Sequence, residues 1–197
     1  MATLERVIEN PLNGERMTFL TTGEETGGEF ARVRCELPAG APGPPLHYHL
    51  TFTETFEVVE GTLDMYVGGK KHHHVLKSGE AAHAPVKVPH TFWNSSAEPA
   101  VFEAVMQPAQ PFEDTIRMAF GMAKDGKTNK KGVPTNIWEL ALAYELGGSY
   151  MTGMPLFLQR RIFGVLARIA RRKGYDPAFS RYTKPRDETA SPATPGS

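Results

Sequence analysis

The sequence contains little cysteine and no long apolar run. Its 197 residues include one cysteine, Cys35, which excludes a disulfide within the chain and argues against a metal site built from thiolates. Cys35 lies in the strand-like run from Phe30 to Leu37, where we expect a small buried apolar residue rather than a nucleophile. No stretch approaches the roughly 20 consecutive apolar residues of a membrane-spanning helix.

The amino-terminal residues also lack the features of a secretory signal. Residues 1–6, MATLER, contain neither the basic region nor the apolar region of a signal peptide. We therefore expect a cytoplasmic protein.

The chain has no net charge, but its two parts carry charge of opposite sign. Residues 1–110 contain eight Lys and Arg against fourteen Asp and Glu, whereas residues 111–197 contain fourteen against eight. Opposite charge on two parts of one chain favours their mutual attraction over binding to nucleic acid or to a membrane. We therefore expect no nucleic-acid partner.

Two patterns of hydrophobic spacing divide the chain. Residues 1–110 contain short β-rich runs broken by Gly and Pro about every ten residues, which is typical of a sandwich or barrel. Residues 111–182 change to helical spacing, and residues 183–197, rich in Pro, Ser, Thr and charge, are predicted to form a disordered tail. The three predicted helices lie around Phe112–Ala123, Ile137–Tyr144 and Pro155–Gly174.

The third predicted helix is amphipathic and basic. Its positive charges gather toward the carboxyl end, which suits the helix dipole. Its apolar side chains need cover, and we expect packing on the barrel or on a second subunit in preference to an anionic membrane, which is the alternative for such a helix. The basic residues are Arg160, Arg161, Arg168, Arg171, Arg172 and Lys173, and the apolar ones are Leu156, Phe157, Phe163, Leu166 and Ile169.

Two histidines and a glutamate in Pro44–Gly61, PPLHYHLTFTETFEVVEG, are spaced for joint metal binding. Because successive strand residues point to opposite sides, His47 and His49 share one face, and Glu54 can reach the same cation where the strand bends. For the histidine pair alone, two surface histidines are the competing interpretation.

A matching segment follows in Gly79–Asn94, GEAAHAPVKVPHTFWN, where His90 comes after a proline-bounded turn. The order H-x-H-x(4)-E-x(6)-G, followed by G-x(5)-P-x(4)-H-x(3)-N, resembles the paired motifs of the cupin superfamily. The resemblance implies a mainly β fold, a double-stranded β-helix or jelly-roll barrel, over residues 1–110. It also implies a helical extension over residues 111–182 that packs on the barrel or on a partner subunit.

The resemblance further implies a metal site. In that family the two histidines and the glutamate of the first motif and the histidine of the second bind one divalent metal, roles that fall here on His47, His49, Glu54 and His90. Such a donor set suits Fe, Mn, Co, Ni, Cu or Zn and does not choose among them. Lys87 stands where the second motif usually has a glycine. Since positive φ is uncommon outside glycine, we expect a reshaped turn there, with a side chain that could reach the mouth of the pocket.

The surroundings of these ligands are expected to be mostly apolar, which favours an aromatic or aliphatic substrate but also fits an ordinary core. Asn94 is expected to hold a ring or a backbone group in place rather than to bind metal. The residues predicted to line the pocket or support the ligands are Asn94, Phe56, Val58, Phe92, Phe102, Met106 and Tyr66.

No catalytic acid or base stands out from the sequence. The candidates are Tyr66, Asp64, Glu57 and His83, and no catalytic residue is assigned. The run His72-His73-His74 follows two lysines, and strand alternation separates His73 from the other two. Solvated histidines are therefore expected there rather than a second metal site.

These features favour a metal-dependent oxidoreductase, similar to dioxygenases, that acts on a small organic substrate able to chelate the metal through two neighbouring oxygens. A six-coordinate metal would leave two adjacent positions for that substrate, water or oxygen. The alternatives are a non-oxidative isomerase or lyase and a non-catalytic module that binds a small ligand. A homodimer is expected, because a mostly β domain needs its sheet edges covered.

Overall fold

Two antiparallel sheets form the first part of the chain, and helices follow. The computed structural model describes residues 5–109 and 111–183, so all but the first residue of the predicted tail, 183–197, lies outside the described residues. The strands are β1 (Val7–Glu9), β2 (Arg16–Thr21), β3 (Ala31–Leu37), β4 (His47–His49), β5 (Thr53–Glu60), β6 (Thr62–Val67), β7 (His73–Lys77), β8 (Ala81–Ala84), β9 (His90–Trp93), β10 (Ala100–Gln107) and β11 (Ser149–Met151). The helices are α1 (Phe112–Lys124), α2 (Ile137–Gly147), α3 (Leu156–Arg172) and the short α4 (Tyr175–Ser180).

The strand order brings distant parts of the sequence together. One sheet has the order β1-β2-β3-β10-β5-β8, and the other has the order β11-β4-β9-β6-β7. In the second sheet β4 and β9 are neighbours, with His47 opposite His90. The predicted mainly β fold with three following helices of ordinary length is confirmed, and its topology places the histidines of both sequence motifs on one sheet and Glu54 of β5 on the other.

Alternate residues of the strands form the core between the two sheets. Along β3 every second side chain is buried, from Ala31 to Leu37, as expected for a strand with one face in the core. Cys35 belongs to this row, and burial raises the pKa of its thiol well above the ordinary value. It is a core residue, as the sequence predicted, and not an activated nucleophile.

The helices pack beside the five-stranded sheet through a row of aromatic rings. Tyr48 of β4 stacks on Tyr150 of β11, Tyr150 contacts Tyr144 of α2, and Tyr144 stacks on Phe163 of α3 with 4.1 Å between ring centroids. Strand β11 was not predicted, and it adds a strand from the helical part of the chain to the sheet of β4. The boundary between residues 110 and 111 therefore stays a prediction. Among the described helices, none combines the length and the apolar character needed to cross a bilayer.

Glu15, just before β2, gives the fold a testable dependence on pH. The residue is buried, and burial raises the pKa of its carboxyl to about 7, against the opposing hydrogen bond from Asn13. The unfolded chain loses this proton near pH 4.5, whereas the folded chain keeps it until about pH 7. The free energy of unfolding should therefore fall between these values as pH rises, by roughly 3 kcal/mol in total.

We expect Glu15→Gln to remove this loss. Urea denaturation at pH 5 and pH 8 measures the effect, with Glu29→Gln, an exposed glutamate, as the control. Glu15→Gln should be more stable than the wild type at pH 8 by a clearly larger margin than at pH 5. An equal margin at both pH values would contradict the prediction.

Candidate metal centre

Three histidines and one glutamate from three strands meet inside the barrel. They are His47 and His49 of β4, Glu54 of β5 and His90 of β9, and one nitrogen or oxygen atom of each lies within 4.8 Å of those of the others. It is the only cluster of three or more potential metal ligands in residues 5–109 and 111–183. The structure thus brings together all four residues that the sequence proposed as ligands, and their role as ligands stays a prediction.

The loop before β4 fixes the position of His47. Gly43 lies so close to the backbone of Phe92 that a Cβ atom at this position would overlap the Phe92 carbonyl. The Thr91 hydroxyl donates a hydrogen bond to the Pro44 carbonyl at 2.5 Å, which ties the same loop to β9. The proline-rich segment therefore enters the sheet at a fixed register, and His47 comes to lie opposite His90.

The outer ring nitrogen of each histidine has its own oxygen partner. Nδ1 of His47 lies 2.8 Å from the Pro45 carbonyl, and Nδ1 of His90 lies 3.0 Å from the Val88 carbonyl. Because a carbonyl only accepts, each Nδ1 must carry the proton. Nδ1 of His49 lies 3.3 Å from the hydroxyl of Ser149, which in turn donates to the Gly147 carbonyl. All three rings can therefore turn an unprotonated Nε2 toward the centre, as metal-binding histidines do.

The Nε2 atoms and the Glu54 carboxylate at the centre of the cluster lie so close together that a positive charge is needed between them. Oε2 of Glu54 lies 2.6 Å from Nε2 of His90 and 3.3 Å from Nε2 of His49. At the longer distance the geometry does not make a hydrogen bond, and Nε2 of His49 is buried with no hydrogen-bond partner among the described residues. With the Nδ1 atoms protonated, the carboxylate would face nitrogen lone pairs. A proton or a metal cation must therefore lie at the centre.

The electrostatics of His47 and Glu54 favour the protonation states that bind metals. Burial, followed by the neighbouring His90 and His49, lowers the pKa of His47 to about 4, so this ring is neutral at neutral pH. Burial alone would raise the pKa of Glu54, but its contacts with His49 and His90 outweigh burial and hold the pKa well below its usual range. The same contact with Glu54 raises the pKa of His90 against the effect of burial. A neutral imidazole and an ionised carboxylate are the forms that bind a divalent cation.

The predicted apolar residues lie on the inner face, next to the cluster. The Phe56 ring centroid is 6.2 Å from that of His90, and Phe56, Phe92 and Phe102 contact one another with centroids 5.0–6.1 Å apart. Val58 and Met106 are buried in the same core. These contacts give the cluster an apolar surrounding, in which electrostatic interactions are stronger than in water.

Asn94 and Lys87 both hold backbone near the site. Asn94 is buried, and its Nδ2 donates to the carbonyls of Leu37, Pro38 and Glu98, which fits the predicted role as a support. The expectation of a reshaped turn at Lys87 was wrong. Lys87 keeps φ at 66°, and its backbone N–H donates to the His49 carbonyl at 2.7 Å, a bond that offsets the strain of this conformation.

Tyr66 does not line the interior, so the prediction that it belongs to the pocket was wrong. Tyr66 pairs with Thr91, and residues paired across an antiparallel ladder point to the same face, which is opposite to that of His90. Its ring contacts Trp93 and His73 on the outer face of the sheet. The error came from the register between β6 and β9, which cannot be read from either strand alone.

The other candidate acids and bases also point away from the cluster. Glu57 lies on the face of β5 opposite to Glu54, and His83 pairs with Thr55 on that same outer face. Asp64 pairs with Trp93 and binds outer-face groups, the ring of His73 at 2.9 Å and the hydroxyl of Ser95 at 2.6 Å. None of the four residues named from the sequence is placed to move a proton at the candidate metal centre.

The histidine run gives no second cluster in the described part of the chain. His72, His73 and His74 are all exposed, and His73 also stacks on Trp93 with 5.2 Å between ring centroids and bonds to Asp64. Alternation along β7 separates the rings, as the sequence predicted.

Sequence reasoning missed two residues that contact the cluster. Phe52 is buried and stacks on the His49 ring at a centroid distance of 3.9 Å. Ser149 contacts His49 Nδ1 across the pairing of β11 with β4. The position of Phe52 between His49 and Glu54 in the sequence could have indicated its contact with the cluster. Ser149 is 100 residues away from His49 along the chain, and no local sequence pattern indicates that contact.

We expect Ser149→Ala to weaken divalent metal binding by about tenfold, the lower end of the effect seen when a partner of a ligating histidine is removed. The physical reason is that Nδ1 of His49 would lose its oxygen partner, so the ring would be less firmly oriented. Competition with a chromophoric chelator measures the affinity. Ser149→Thr keeps the hydroxyl and should restore most of it. Equal affinities for the alanine and threonine variants would argue against a positioning role.

His47 is the least buried side chain of the cluster. His49, Glu54 and His90 are buried, whereas His47 is only half-buried. Its neighbour across the ladder is Met151 of β11, which is exposed. A strand from the helical part of the chain therefore lies beside the cluster.

Comparisons with known proteins agree with this geometry. A family model described as a cupin domain matches residues 33–106, a range that contains all four side chains of the cluster. A protein named oxidoreductase iacF from Pestalotiopsis fici is 30% identical over 145 residues, which are 68% of this chain and 70% of that protein. A probable oxidoreductase, virH, from Hypocrea virens is 29% identical over 154 residues, 73% of this chain and 69% of that protein.

Two solved structures with similar folds each cover more than half of the chain. A predicted oxalate decarboxylase from Thermotoga maritima aligns with a TM-score of 0.46 at 22% identity, covering 54% of this chain and 93% of its own. The polyketide cyclase RemF from Streptomyces resistomycificus aligns with a TM-score of 0.46 at 18% identity, covering 57% of this chain and 82% of its own.

Proposed function

The chain belongs to the cupin superfamily, and from this premise we propose that it is a metal-dependent oxidoreductase that acts on a small, oxygen-chelating organic substrate. The observation that carries the proposal is the centre of the cluster, where Glu54 faces three histidines whose outer nitrogens all have oxygen partners. A divalent transition metal, one per chain, satisfies this donor set.

The residues present fit such a metal. Nε2 of His49 is buried without a hydrogen-bond partner among the described residues, and a cation at the centre would satisfy it. His47, His49, Glu54 and His90 would hold the ion, and three imidazoles with one carboxylate suit Fe, Mn, Co, Ni, Cu or Zn. When bound, the ion would supply Lewis acidity and, for a redox metal, electron transfer between substrate and oxygen.

The protein's own residues orient the donors and exclude water. The carbonyls of Pro45 and Val88 hold two imidazole rings in the tautomer that presents Nε2. Glu54 contributes the negative charge, and Phe56 and Phe92 keep the inner side of the site apolar. A planar, electron-rich substrate with two neighbouring oxygens matches this combination of a chelating metal site and apolar surroundings.

The names of two relatives support an oxidoreductase over other chemistries. Both are named as oxidoreductases, and each aligns over more than two-thirds of this chain. The proposal is therefore an oxidation that uses molecular oxygen, with a flavonol, catechol-like phenol or 1,3-diketone as the substrate class.

Oxygen uptake tests this function. Protein loaded separately with Fe, Mn, Co or Ni should consume oxygen when mixed with a member of a panel of flavonols and 1,3-diketones, and His90→Ala treated identically should not. No uptake with any metal would contradict the proposal. Product formation without oxygen would instead identify a non-oxidative isomerase or lyase, and tight binding without product would identify a binding module.

A homodimer is part of the proposal. The strands β1, β8, β7 and β11 lie at sheet edges, and such edges invite pairing with another chain or need cover. Light scattering after size-exclusion chromatography should give twice the chain mass of 21.7 kDa. A monomer mass at every concentration would contradict this part of the proposal.

A further inference from the structure

The exposed face of α3 combines apolar side chains with arginines. Of the twelve large apolar side chains exposed in the described residues, six lie between Met151 and Val165. Phe157 is 73% exposed and Val165 48%. Four of these six lie on α3 itself, Phe157, Leu158, Ile162 and Val165, and we call them the α3 apolar patch. Exposed apolar side chains concentrated in this way mark an interaction surface.

The opposite face of α3 is already packed, so the patch cannot turn inward. Phe163 stacks on Tyr144 of α2, and Ala167 and Ala170 are fully buried. Gln159 is buried, accepts hydrogen bonds from the Tyr144 hydroxyl and the Met151 N–H, and donates to the carbonyls of Met151 and Met154. These bonds fix the rotation of α3 about its axis. One face of α3 is therefore packed on α2 and the other lies in solvent, and the packing of the helices on the barrel or on a second subunit stays a prediction.

Positive charge lies beside the patch without compensating acid. At 100° per residue, Arg161, Arg168 and Arg172 fall on the outward side of α3, between Phe157 on one side and Val165, Leu158 and Ile162 on the other. The helix contains no Asp or Glu. Arg171, nearer the packed side, pairs with Glu145 at 2.6 Å, whereas Arg161 and Arg168 form no ion pair with any carboxylate in the described ranges.

A second copy of the chain is a poor match for this face. A two-fold symmetric contact would bring α3 against α3 and would place the unpaired arginines of both copies together. Like charges at close range disfavour such a contact. A bilayer surface, by contrast, accepts one convex helix, with its apolar side chains at the headgroup boundary and its arginines among the phosphates.

We propose that the α3 apolar patch and its flanking arginines dock the protein on the surface of a bilayer that contains anionic phospholipids. The helix lies parallel to the membrane plane, with Phe157, Leu158 and Ile162 at the headgroup boundary.

Vesicle sedimentation with the full chain tests the proposal. We expect binding to phosphatidylcholine vesicles that contain about one-third phosphatidylglycerol, little binding to pure phosphatidylcholine, and loss of binding when salt is raised. The double variant Arg161→Glu with Arg168→Glu should bind the anionic vesicles at least about tenfold more weakly. Phe157→Ser with Ile162→Ser should weaken binding by a similar factor, since it removes apolar burial.

Matched controls change the same charge or apolar area elsewhere. Lys70→Glu with Lys71→Glu reverses two exposed charges on the β6–β7 turn, and Val75→Ser with Val86→Ser removes two exposed apolar side chains. Both controls should bind like the wild type, and all variants should keep its melting temperature. Absence of binding to anionic vesicles, or equal loss in controls and α3 variants, would overturn the proposal. So would a dimer that the α3 variants convert to monomer in protein that does not bind vesicles.

Discussion

His90→Ala is expected to reduce bound divalent metal from about one ion per chain to a small fraction of that. His90 is buried at the centre of the cluster, and its Nε2 is 2.6 Å from Glu54, so no neighbouring side chain can replace it. His47→Ala should lose metal to a similar extent. Elemental analysis of purified protein measures the ratio of metal to chain.

The barrel should survive both substitutions. The core between the sheets is built mainly from apolar side chains, and His47 is half-buried. The melting temperatures of the variants should therefore lie near that of wild-type protein stripped of metal with a chelator. His83→Ala, an exposed histidine on the outer face, is the matched control and should retain full metal content. A variant that keeps its metal would contradict the ligand assignment, and a melting temperature far below that of the stripped protein would make the site structural.

Phe102→Ala is expected to cost about 3–5 kcal/mol of unfolding free energy, the range for removal of a fully buried phenylalanine. The residue is completely buried, and its ring contacts those of Phe56 and Phe92. Its truncation would leave a cavity behind the candidate metal centre. Urea denaturation at neutral pH measures the loss.

Phe157→Ala provides the comparison for this substitution. The same atoms are removed from a side chain that is 73% exposed, so the free energy of unfolding should change by less than about 0.5 kcal/mol. Metal content should stay unchanged in both variants, because neither ring supplies a donor atom. If Phe102→Ala proved as stable as the wild type, Phe102 would line an open cavity rather than the packed core.

Much of the fold could be predicted because local pattern and topology agree. Cys35, Phe56 and Val58 were correctly assigned to the interior, and the helical spacing after Pro111 located α1, α2 and α3. The change from short β runs to helical spacing was visible in one sequence. The long-range pairing of β4 with β9 came from the family resemblance, since nothing local in either strand specifies its partner.

The remaining errors have a common physical origin in register and pairing. Tyr66 was assigned to the interior although its pairing with Thr91 turns it outward. Strand β11 is three residues long and lies between two helices, so it has too few residues to show a periodic signal. Its first residue, Ser149, was therefore missed as a contact of His49. Lys87 was expected to avoid positive φ, but a hydrogen bond to the strand that carries His49 holds it there.

Anomalous diffraction from crystals of protein purified without added metal tests the central claim most directly. We predict one anomalous peak inside the barrel, about 2.0–2.3 Å from Nε2 of His47, His49 and His90 and from a carboxylate oxygen of Glu54. The energy of the absorption edge would then identify the metal. Clear density for the four side chains with no peak between them, even after soaking with divalent metals, would contradict the account.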